Sequence, residues 1–300
     1  MNEIPFKPSD FASDQEVRWC PGCGDYAILK AVRTALAQIG RSPDETVFVS
    51  GIGCAARFPY YLATYGFHTI HGRAPAIATG LKLARPELDI WVVGGDGDFL
   101  SIGGNHISHA LRRDIDLNLL LLNNAIYGLT KGQASPTSAI GTRSPSTPSG
   151  TVERPANAVQ LALGSGARFI ARSADTLQDH LPGILVQAQS NHGASFVEIL
   201  QNCIVYNDGA FGPINDKTAT PDATIRLEHG EPMVFGKARD KGLVFDDRTQ
   251  EFQVVNIDAE DSFQTLALHD ESSFMRAQAL AMLTDPVPLG ILYSASRTGD

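Results

Sequence analysis

The sequence predicts an α/β fold: a doubly wound, mostly parallel sheet with helices on both faces, followed by an irregular C-terminal extension. From Asp25 to about Tyr206, apolar residues at helical spacing alternate with short apolar or β-branched runs. Gly, Asn or Cys follows soon after most of these runs, which we interpret as buried parallel strands. With 300 residues, 43% of them hydrophobic, the chain can form one large core or two modest ones.

The first helix is the most clearly defined element. Its apolar residues recur at three- and four-residue spacing over Asp25–Ile39, with Asp25 near the positive end and Gly40 as a stop. Strands are then predicted at residues 46–50, 89–93, 117–122, 167–171 and 195–200. Helices are predicted between them at residues 75–84, 102–112, 156–163 and 176–189. Crossover helices bring the ends of parallel strands to one edge of the sheet, so the residues after each strand share that edge.

Two segments interrupt the alternation. Residues 135–150 are rich in Ser, Thr, Pro and Gly and too polar to bury, so we interpret them as a functional loop. The region after about Asn207 is Asp-rich and irregular until a helix predicted at 272–284 and a strand at 287–293. It is either an arm packed on a partner subunit or a surface extension. We therefore divide the chain into an N-terminal segment at 1–24, an α/β domain at 25–206 and a C-terminal extension at 207–300.

Charge and hydropathy limit the classes of partner. The 24 Lys and Arg residues against 33 Asp and Glu give a net charge of -9, which argues against nucleic-acid or anionic-membrane binding but leaves room for a local basic patch. No apolar run approaches the ~20 residues of a membrane span, and the start of the chain lacks signal-peptide features, so we expect a cytoplasmic protein. Cytoplasmic thiols stay reduced, so the four cysteines are expected to be metal ligands, catalytic groups or core residues and not disulfides.

The strongest local motif is GDGD at residues 95–98, followed one helix and one strand later by Asn123 and Asn124. Asp96 and Asn124 each come just after a predicted strand, and the two strands should be neighbours at the carboxyl edge. A carboxylate and an amide oxygen suit Mg²⁺, which fills its other positions with phosphate oxygens and water. The surrounding glycines let the backbone approach a diphosphate. A lone GDG would more simply be a turn, but the matched Asn pair favours a diphosphate and metal site.

The cysteines form a second group at the same edge. Cys20 and Cys23 are separated by two residues, a spacing that lets both bind one metal centre. Cys54 and Cys203 each follow a predicted strand, so the four thiols can converge beside the diphosphate site. Ligand count does not distinguish an iron-sulfur cluster from a structural zinc ion, and Cys203 alone could be an inert core thiol. A cofactor at the diphosphate site that generates reducing electrons would favour the cluster.

These residues carry a resemblance to a known family. GDGD followed by NN resembles the motif of thiamine-diphosphate enzymes, which implies their thiamine-diphosphate-binding fold. WCPGCGDYAI, GIGC, HGRAPAIATG, VVGGDGD and NNAIYGLTKGQASPT together resemble the β subunit of 2-oxoacid:ferredoxin oxidoreductases over about residues 15–205. The sequence RFPYY at residues 57–61 and PMVFG in the C-terminal region look most like the 2-oxoglutarate branch.

The resemblance implies a role for individual residues. The Mg²⁺ ligands would be Asp96, Asn124 and the main-chain carbonyl of Ile126. The residues lining thiamine diphosphate would be Ile52, Gly53, Cys54, Ala55, His71, Gly97, Asp98, Gly128 and Leu129. A 4Fe-4S cluster would be held by Cys20, Cys23, Cys54 and Cys203, which makes 1–24 a cluster-binding segment. Lys131 and Arg57 would be active-site residues. From the residues alone, His71 could equally cap a helix or pack, and Asp98 could cap the helix that follows it.

The implied reaction is the coenzyme A-dependent oxidative decarboxylation of a 2-oxoacid, with electrons passed through the cluster to ferredoxin and carboxylation possible in reverse. In this family a separate pyrimidine-binding domain completes the cofactor site. The single α/β region here accounts for the diphosphate half only. We therefore expect the chain to be inactive alone and to require an α subunit, in an α2β2 assembly.

Several alternatives remain open from the sequence. The substrate could be 2-oxoglutarate, pyruvate or a branched 2-oxoacid. The chain could instead be a subunit of a non-redox thiamine-diphosphate decarboxylase or synthase whose cysteines hold zinc. It could also be an electron-transfer or scaffolding subunit with a vestigial pocket, or a globular α/β protein with structural cysteines.

Overall fold

The structure, a computed structural model, describes residues 5–216, 218–257 and 264–295. Residues 1–4 of the N-terminal segment and 217, 258–263 and 296–300 of the C-terminal extension lie outside the described residues. The strands are β1 Thr46–Ser50, β2 Tyr65–His68, β3 Asp89–Gly95, β4 Leu117–Asn123, β5 Phe169–Ala174, β6 Ala194–Leu200, β7 Thr224–Leu227, β8 Val234–Phe235, β9 Lys241–Asp246, β10 Glu251–Asn256 and β11 Val287–Ser294. The α-helices are α1 Asp25–Ile39, α2 Ala74–Ala84, α3 Gly104–Arg112, α4 Ala158–Gly164, α5 Leu181–Ser190, α6 Gly212–Asn215, α7 Thr220–Ala223 and α8 Phe274–Met282.

One large sheet organises the part of the chain that the structure describes. Its eight strands lie in the order β2-β1-β3-β4-β6-β5-β11-β7. Neighbouring strands are parallel except for β11, which is antiparallel to β5 and parallel to β7. Every residue of β1, β4, β5 and β6 is buried. Their largely apolar sequence is therefore explained by helices covering both faces of the sheet.

The core lies in two layers, one on each face. Strand β1 shows the alternation: Val47 and Val49 pack with residues of α2, α3, α4 and α8, whereas Phe48 packs with α1 and α5 on the opposite face. On that second face the rings of Phe48 and Trp91 stack with centroids 5.9 Å apart. The predicted doubly wound sheet with helices on both faces is confirmed.

All the predicted strands and helices occur, with shifted ends in several cases. Helix α5 begins at Leu181 and not at residue 176, because the residues before it form turns in which the Leu177 amide donates to the Ala174 carbonyl at 3.1 Å. Helix α3 begins at Gly104, because residues Gly97–Ile102 wind as a wider π-helical segment. Strand β2 was not predicted, since its four residues lie exposed at the sheet edge and show no buried pattern.

The C-terminal region contains more regular structure than the sequence predicts. The predicted helix and strand occur as α8 and β11, and β11 lies inside the large sheet. Strands β8, β9 and β10 form a separate antiparallel sheet. Among the described residues, no helix is long and apolar enough to cross a membrane.

Candidate functional site

The site begins where β3 and β4 end side by side. These strands are parallel neighbours with Gly95 opposite Leu122, so Asp96 and Asn124 follow them at the same carboxyl edge. Both residues line a cavity of about 130 Å³. The other residues predicted to bind Mg²⁺ or thiamine diphosphate line the same cavity: Ile126, Ile52, Gly53, Cys54, Ala55, His71, Gly97, Asp98, Gly128 and Leu129. The structure thus brings the whole predicted diphosphate set to one place.

Asp96 is a buried carboxylate, only 1% exposed. The hydroxyls of Ser135 and Thr137 both donate to its Oδ2, with Thr137 Oγ1 at 2.6 Å. Burial raises the pKa of Asp96, and these hydroxyl hydrogen bonds act in the opposite direction. Among the described residues Asp96 forms no ion pair. A buried carboxylate without a cationic partner is a suitable ligand for a metal cation.

Asn124 and Ile126 lie in a sharp bend after β4. Ala125 between them has a left-handed backbone with φ 54°, which turns the chain back over the cavity. The Asn124 Oδ1 accepts a hydrogen bond from the Ile126 amide at 3.2 Å, and the Ile126 carbonyl accepts one from the Gly128 amide at 3.1 Å. Asn207 braces this bend by donating its Nδ2 to the Asn124 carbonyl at 2.9 Å. Each predicted ligand oxygen keeps a second lone pair for an ion.

Asp98 connects three segments around the cavity. It is 2% exposed and accepts hydrogen bonds from the Ile52 amide at 3.1 Å and the Gly72 amide at 2.7 Å. It also contacts His71 Nδ1, which leaves Nε2 as the free nitrogen of the ring. Its own Oδ2 is buried without a hydrogen-bond partner among the described residues. The carboxylate therefore holds the loops after β1 and β2 in place and does not cap the helical segment that follows it.

The four cysteines line a second cavity, of about 220 Å³. Cys20 is exposed, Cys23 and Cys54 are half-buried and Cys203 is buried. Burial raises the pKa of the Cys54 thiol to about 12, with the nearby Asp25 adding to the effect, and raises that of Cys23 for the same two reasons. In the described part of the chain, no three His, Cys, Asp or Glu side chains are grouped closely enough to hold one metal ion. What the four thiols share is the cavity that they line.

Local structure before α1 fixes the first two cysteines. The Cys23 amide donates to the Cys20 carbonyl at 3.0 Å, closing a turn in which Gly22 takes a φ of 81°. Trp19 is buried and donates its indole Nε1 hydrogen to the Cys54 carbonyl at 2.7 Å. Trp19 therefore connects the N-terminal segment to the loop that carries Cys54, in addition to packing in the core.

The two cavities share a wall. Cys54, Asn124, Gly128 and Leu129 line both of them. A Cβ atom on Gly128 would lie 3.4 Å from Cys203 Sγ and 3.7 Å from Cys54 Sγ. Glycine at this position therefore lets the backbone that borders the first cavity lie directly against the thiols of the second.

The two predicted active-site residues line the cysteine cavity and not the diphosphate cavity. Arg57 donates its Nε hydrogen to Tyr61 Oη at 2.8 Å, and its guanidinium lies 5.6 Å from the centre of the Tyr60 ring. Lys131 is exposed and has a left-handed backbone with φ 76°. Neither forms an ion pair within the described ranges.

Sequence reasoning missed several residues of the site. Asp25 lines the first cavity, and complete burial raises its pKa to about 7. The sequence indicated only a helix start at that position. Ser135 and Thr137 lie in the loop predicted to be functional, but nothing in the sequence pattern linked them to Asp96. Asn207 lies just outside the predicted α/β domain.

Comparison with known proteins identifies the class to which this fold and site belong. Residues 51–199 match the family described as thiamine pyrophosphate enzyme, C-terminal TPP binding domain. The solved structure of 2-oxoglutarate:ferredoxin oxidoreductase from Magnetococcus marinus, with 2-oxoglutarate, coenzyme A and succinyl-CoA bound, superposes with a TM-score of 0.79 and 33% identity. That similarity covers 99% of this chain and 87% of the other. The domain is therefore a thiamine-diphosphate-binding domain.

Curated relatives narrow the class to a family. The 2-oxoacid:ferredoxin oxidoreductase 2, subunit beta, of Aeropyrum pernix is 33% identical over 95% of this chain and 82% of that protein. The 2-oxoglutarate oxidoreductase subunit KorB of Mycobacterium tuberculosis is 57% identical over 77% of this chain, and the 2-oxoglutarate synthase subunit KorB of Archaeoglobus fulgidus is 44% identical over 62% of it. The chain belongs to the family of 2-oxoacid:ferredoxin oxidoreductase β subunits, and the predicted similarity to its 2-oxoglutarate branch is confirmed. The chain spans 62% of the length of the M. tuberculosis relative.

Proposed function

We propose that this chain is the β subunit of a 2-oxoglutarate:ferredoxin oxidoreductase that converts 2-oxoglutarate and coenzyme A to succinyl-CoA and CO2 in the cytoplasm. The electrons would pass through a 4Fe-4S cluster to ferredoxin. The observation that supports this proposal is the wall shared by the two cavities, since the proposed diphosphate and metal site would then border the cavity that the four cysteines line. The 2-oxoglutarate relatives support the choice of substrate.

The first cavity would hold thiamine diphosphate and Mg²⁺. Its metal ligands would be Asp96, Asn124 and the carbonyl of Ile126, and the buried, unpaired charge of Asp96 supports a cation there. Thiamine diphosphate, when bound, supplies the electron sink for loss of CO2 from a 2-oxoacid. Asp98 contacts His71 Nδ1, which leaves Nε2 as the ring nitrogen available to a phosphate oxygen. We propose that His71 binds the diphosphate group of the cofactor.

The second cavity would hold the cluster. Four cysteines lining one cavity supply the ligand set of a 4Fe-4S cluster, and a four-cysteine zinc site is the alternative. Arg18, Arg57 and Lys131 line the same cavity, and no Asp or Glu does. A cluster with four thiolates is negatively charged and accepts one electron at a time, and these cations would stabilise it. The raised thiol pKa values mean that protons must leave as iron binds.

Arg57 and Lys131 are the proposed substrate contacts. Both carry a positive charge without a carboxylate partner among the described residues, and both lie beside the shared wall. A dicarboxylate such as 2-oxoglutarate supplies the complementary charge. Pyruvate and branched 2-oxoacids carry one carboxylate, and they remain the alternative substrates.

The rim of the site supports a partner subunit. Apolar side chains around the two cavities are exposed, among them Leu129 and Val205, each 52% exposed. Exposed apolar surface around a polar site is typical of a surface covered by another protein. We propose that an α subunit covers it and supplies the pyrimidine-binding half of the cofactor site, in an α2β2 complex.

The test is anaerobic, coenzyme A-dependent viologen reduction by the complex that co-purifies with this chain. We expect 2-oxoglutarate to be the preferred substrate over pyruvate and branched 2-oxoacids, and the isolated chain to show no turnover. Iron and acid-labile sulfide in the purified protein check the cluster. Zinc without sulfide would contradict the redox function, and full turnover by the isolated chain would contradict the partner.

A further inference from the structure

Two hydroxyl groups hold one oxygen of the proposed metal ligand Asp96. Ser135 and Thr137 both donate to Oδ2. Both come from the loop that follows the bend at Asn124, and they reach Asp96 across the carboxyl edge. With Oδ2 held by two donors, the orientation of the carboxylate is fixed and Oδ1 is the oxygen left for a metal ion.

The Thr137 hydroxyl also connects Asp96 to the end of β4. Its Oγ1 lies 2.6 Å from Asp96 Oδ2 and 2.9 Å from Asn123 Oδ1. A hydroxyl has a single proton, so Thr137 can donate to only one of these oxygens at a time. If the Asn123 amide group turned, its Nδ2 could donate to Thr137 Oγ1. It is held in place because its Nδ2 donates to Glu198 Oε1 at 2.8 Å.

A buried ion pair anchors the far end of this chain of contacts. Glu198 and Arg172 are 3% and 7% exposed and lie opposite each other on β6 and β5. The Arg172 Nε hydrogen bonds to Glu198 Oε2 at 2.7 Å. An apolar pair of similar size in this position would be as stable or more so, and a buried ion pair can instead serve to fix a particular arrangement.

We propose that these residues form a positioning network that sets the orientation of the Asp96 carboxylate and thereby the affinity for Mg²⁺. The network, called the Asp96 network below, consists of Asp96, Ser135, Thr137, Asn123, Glu198 and Arg172. It rests on the proposed function, since it concerns the metal site of that function. Asp96, Ser135 and Thr137 form its near half, in which the two hydroxyls hold the ligand. Asn123, Glu198 and Arg172 form its far half, which keeps Asn123 Oδ1 beside Thr137 as a second acceptor for the Thr137 proton.

The near half of the network is tested by Thr137→Val, which removes the hydroxyl and keeps the shape of the side chain. Mg²⁺ binding to the EDTA-treated full-length chain in its complex is measured by calorimetry at saturating thiamine diphosphate. We expect an affinity about 10–100-fold lower than that of the wild type, as for other groups that orient a metal ligand. Thr137→Ser, which keeps the hydroxyl, should restore most of it.

A matched control is Thr142→Val in the same loop. The Thr142 hydroxyl donates to the Ala139 carbonyl at 2.7 Å and does not contact Asp96, so this variant should bind Mg²⁺ like the wild type. Equal affinity of Thr137→Val and Thr142→Val would overturn the proposal. Should Thr137→Val fail to fold, Ser135→Ala carries the same expectation, and wild-type affinity in that variant would overturn the proposal as well.

The far half is tested by the double variant Glu198→Leu with Arg172→Met. Replacing both charges together leaves no buried charge unpaired, so we expect an unchanged thermal midpoint. The released Asn123 amide can turn and donate to Thr137 Oγ1, which leaves the Thr137 proton to Asp96, so we expect tighter Mg²⁺ binding. Wild-type Mg²⁺ affinity in a folded double variant would overturn the role of the ion pair. Asp96→Asn tests the metal site itself and not the network around it. Unchanged Mg²⁺ and thiamine diphosphate binding in that variant would contradict the proposed function.

Discussion

At the scale of single residues, Gly97 shows how closely the backbone and Tyr127 fit beside the diphosphate cavity. A Cβ atom at position 97 would lie 2.1 Å from Cε1 of the Tyr127 ring, and both residues line the cavity. The Tyr127 hydroxyl also donates to the Gly97 carbonyl at 3.3 Å. No side chain fits at this position unless the ring moves.

Gly97→Ala should therefore displace the Tyr127 ring and change the cavity. Overpacking of this kind costs about 1–3 kcal/mol, and we expect weaker thiamine diphosphate binding together with a lower Tm. Gly104→Ala is the control, since a Cβ atom there meets open space at the start of α3. Calorimetry with thiamine diphosphate and Mg²⁺ checks both variants. Wild-type affinity in Gly97→Ala would show that the ring is not part of the binding surface.

The residues of the site differ in how far the sequence predicts them. Asp96 and Asn124 could be placed together because each follows a buried parallel strand, and strand order fixes which ends are neighbours. The contacts of Ser135 and Thr137 with Asp96 depend on the path of an irregular loop, which no periodic pattern specifies. The positive charges of Arg57 and Lys131 likewise did not predict which of the two cavities these residues line.

At the scale of elements, the loop at residues 127–133 borders both cavities and contains a strained backbone position. The Tyr127 amide donates to the Gln133 carbonyl and the Gly132 amide to the Tyr127 carbonyl, both at 2.9 Å, which closes the loop tightly. Lys131 has a left-handed backbone conformation in this loop, with φ 76°. That conformation is favourable for glycine and unfavourable for a long side chain such as lysine. Backbone strain of this type is common where a side chain is needed at a functional site.

Lys131→Gly should relieve the strain and remove the charge. After allowing for the greater flexibility of glycine in the unfolded chain, we expect a gain in unfolding free energy of about 0.5–1 kcal/mol. The loss of a charged contact to the substrate should lower kcat/KM by about tenfold or more. Lys131→Ala is the matched variant, because it loses the charge and keeps the strain. It should lose activity without gaining stability, and a gain in both variants would contradict the role of the backbone.

Strands buried on both faces were among the elements that the sequence could predict. The strands β1, β4, β5 and β6 have every residue buried, so most of their residues are apolar, even though β5 and β6 contain the paired Arg172 and Glu198. Strand β2 is exposed, and β8 has only two residues. Such strands are defined by pairing with residues far away in sequence, as β8 is by β9, and local composition carries little trace of that pairing.

At the scale of the whole molecule, exposed aliphatic side chains form an apolar rim around the two cavities. This rim, formed by Ile52, Leu129, Ile204 and Val205, borders both the diphosphate cavity and the cysteine cavity. Its position at the carboxyl edge places a partner where it could complete the cofactor site and exclude water from it at once. The rim is thus the surface at which assembly and activity should be coupled.

Val205→Gln should weaken assembly without unfolding the chain. Val205 is 52% exposed, so the substitution is tolerated in the isolated chain, but an amide buried against an apolar partner surface costs about 1–3 kcal/mol. We expect less α subunit to co-purify, and turnover to fall in proportion to the complex recovered. Leu83→Gln is the control: Leu83 is 72% exposed, lies near the end of α2 and lines neither cavity. Equal recovery of the complex with both variants would place the partner on another surface.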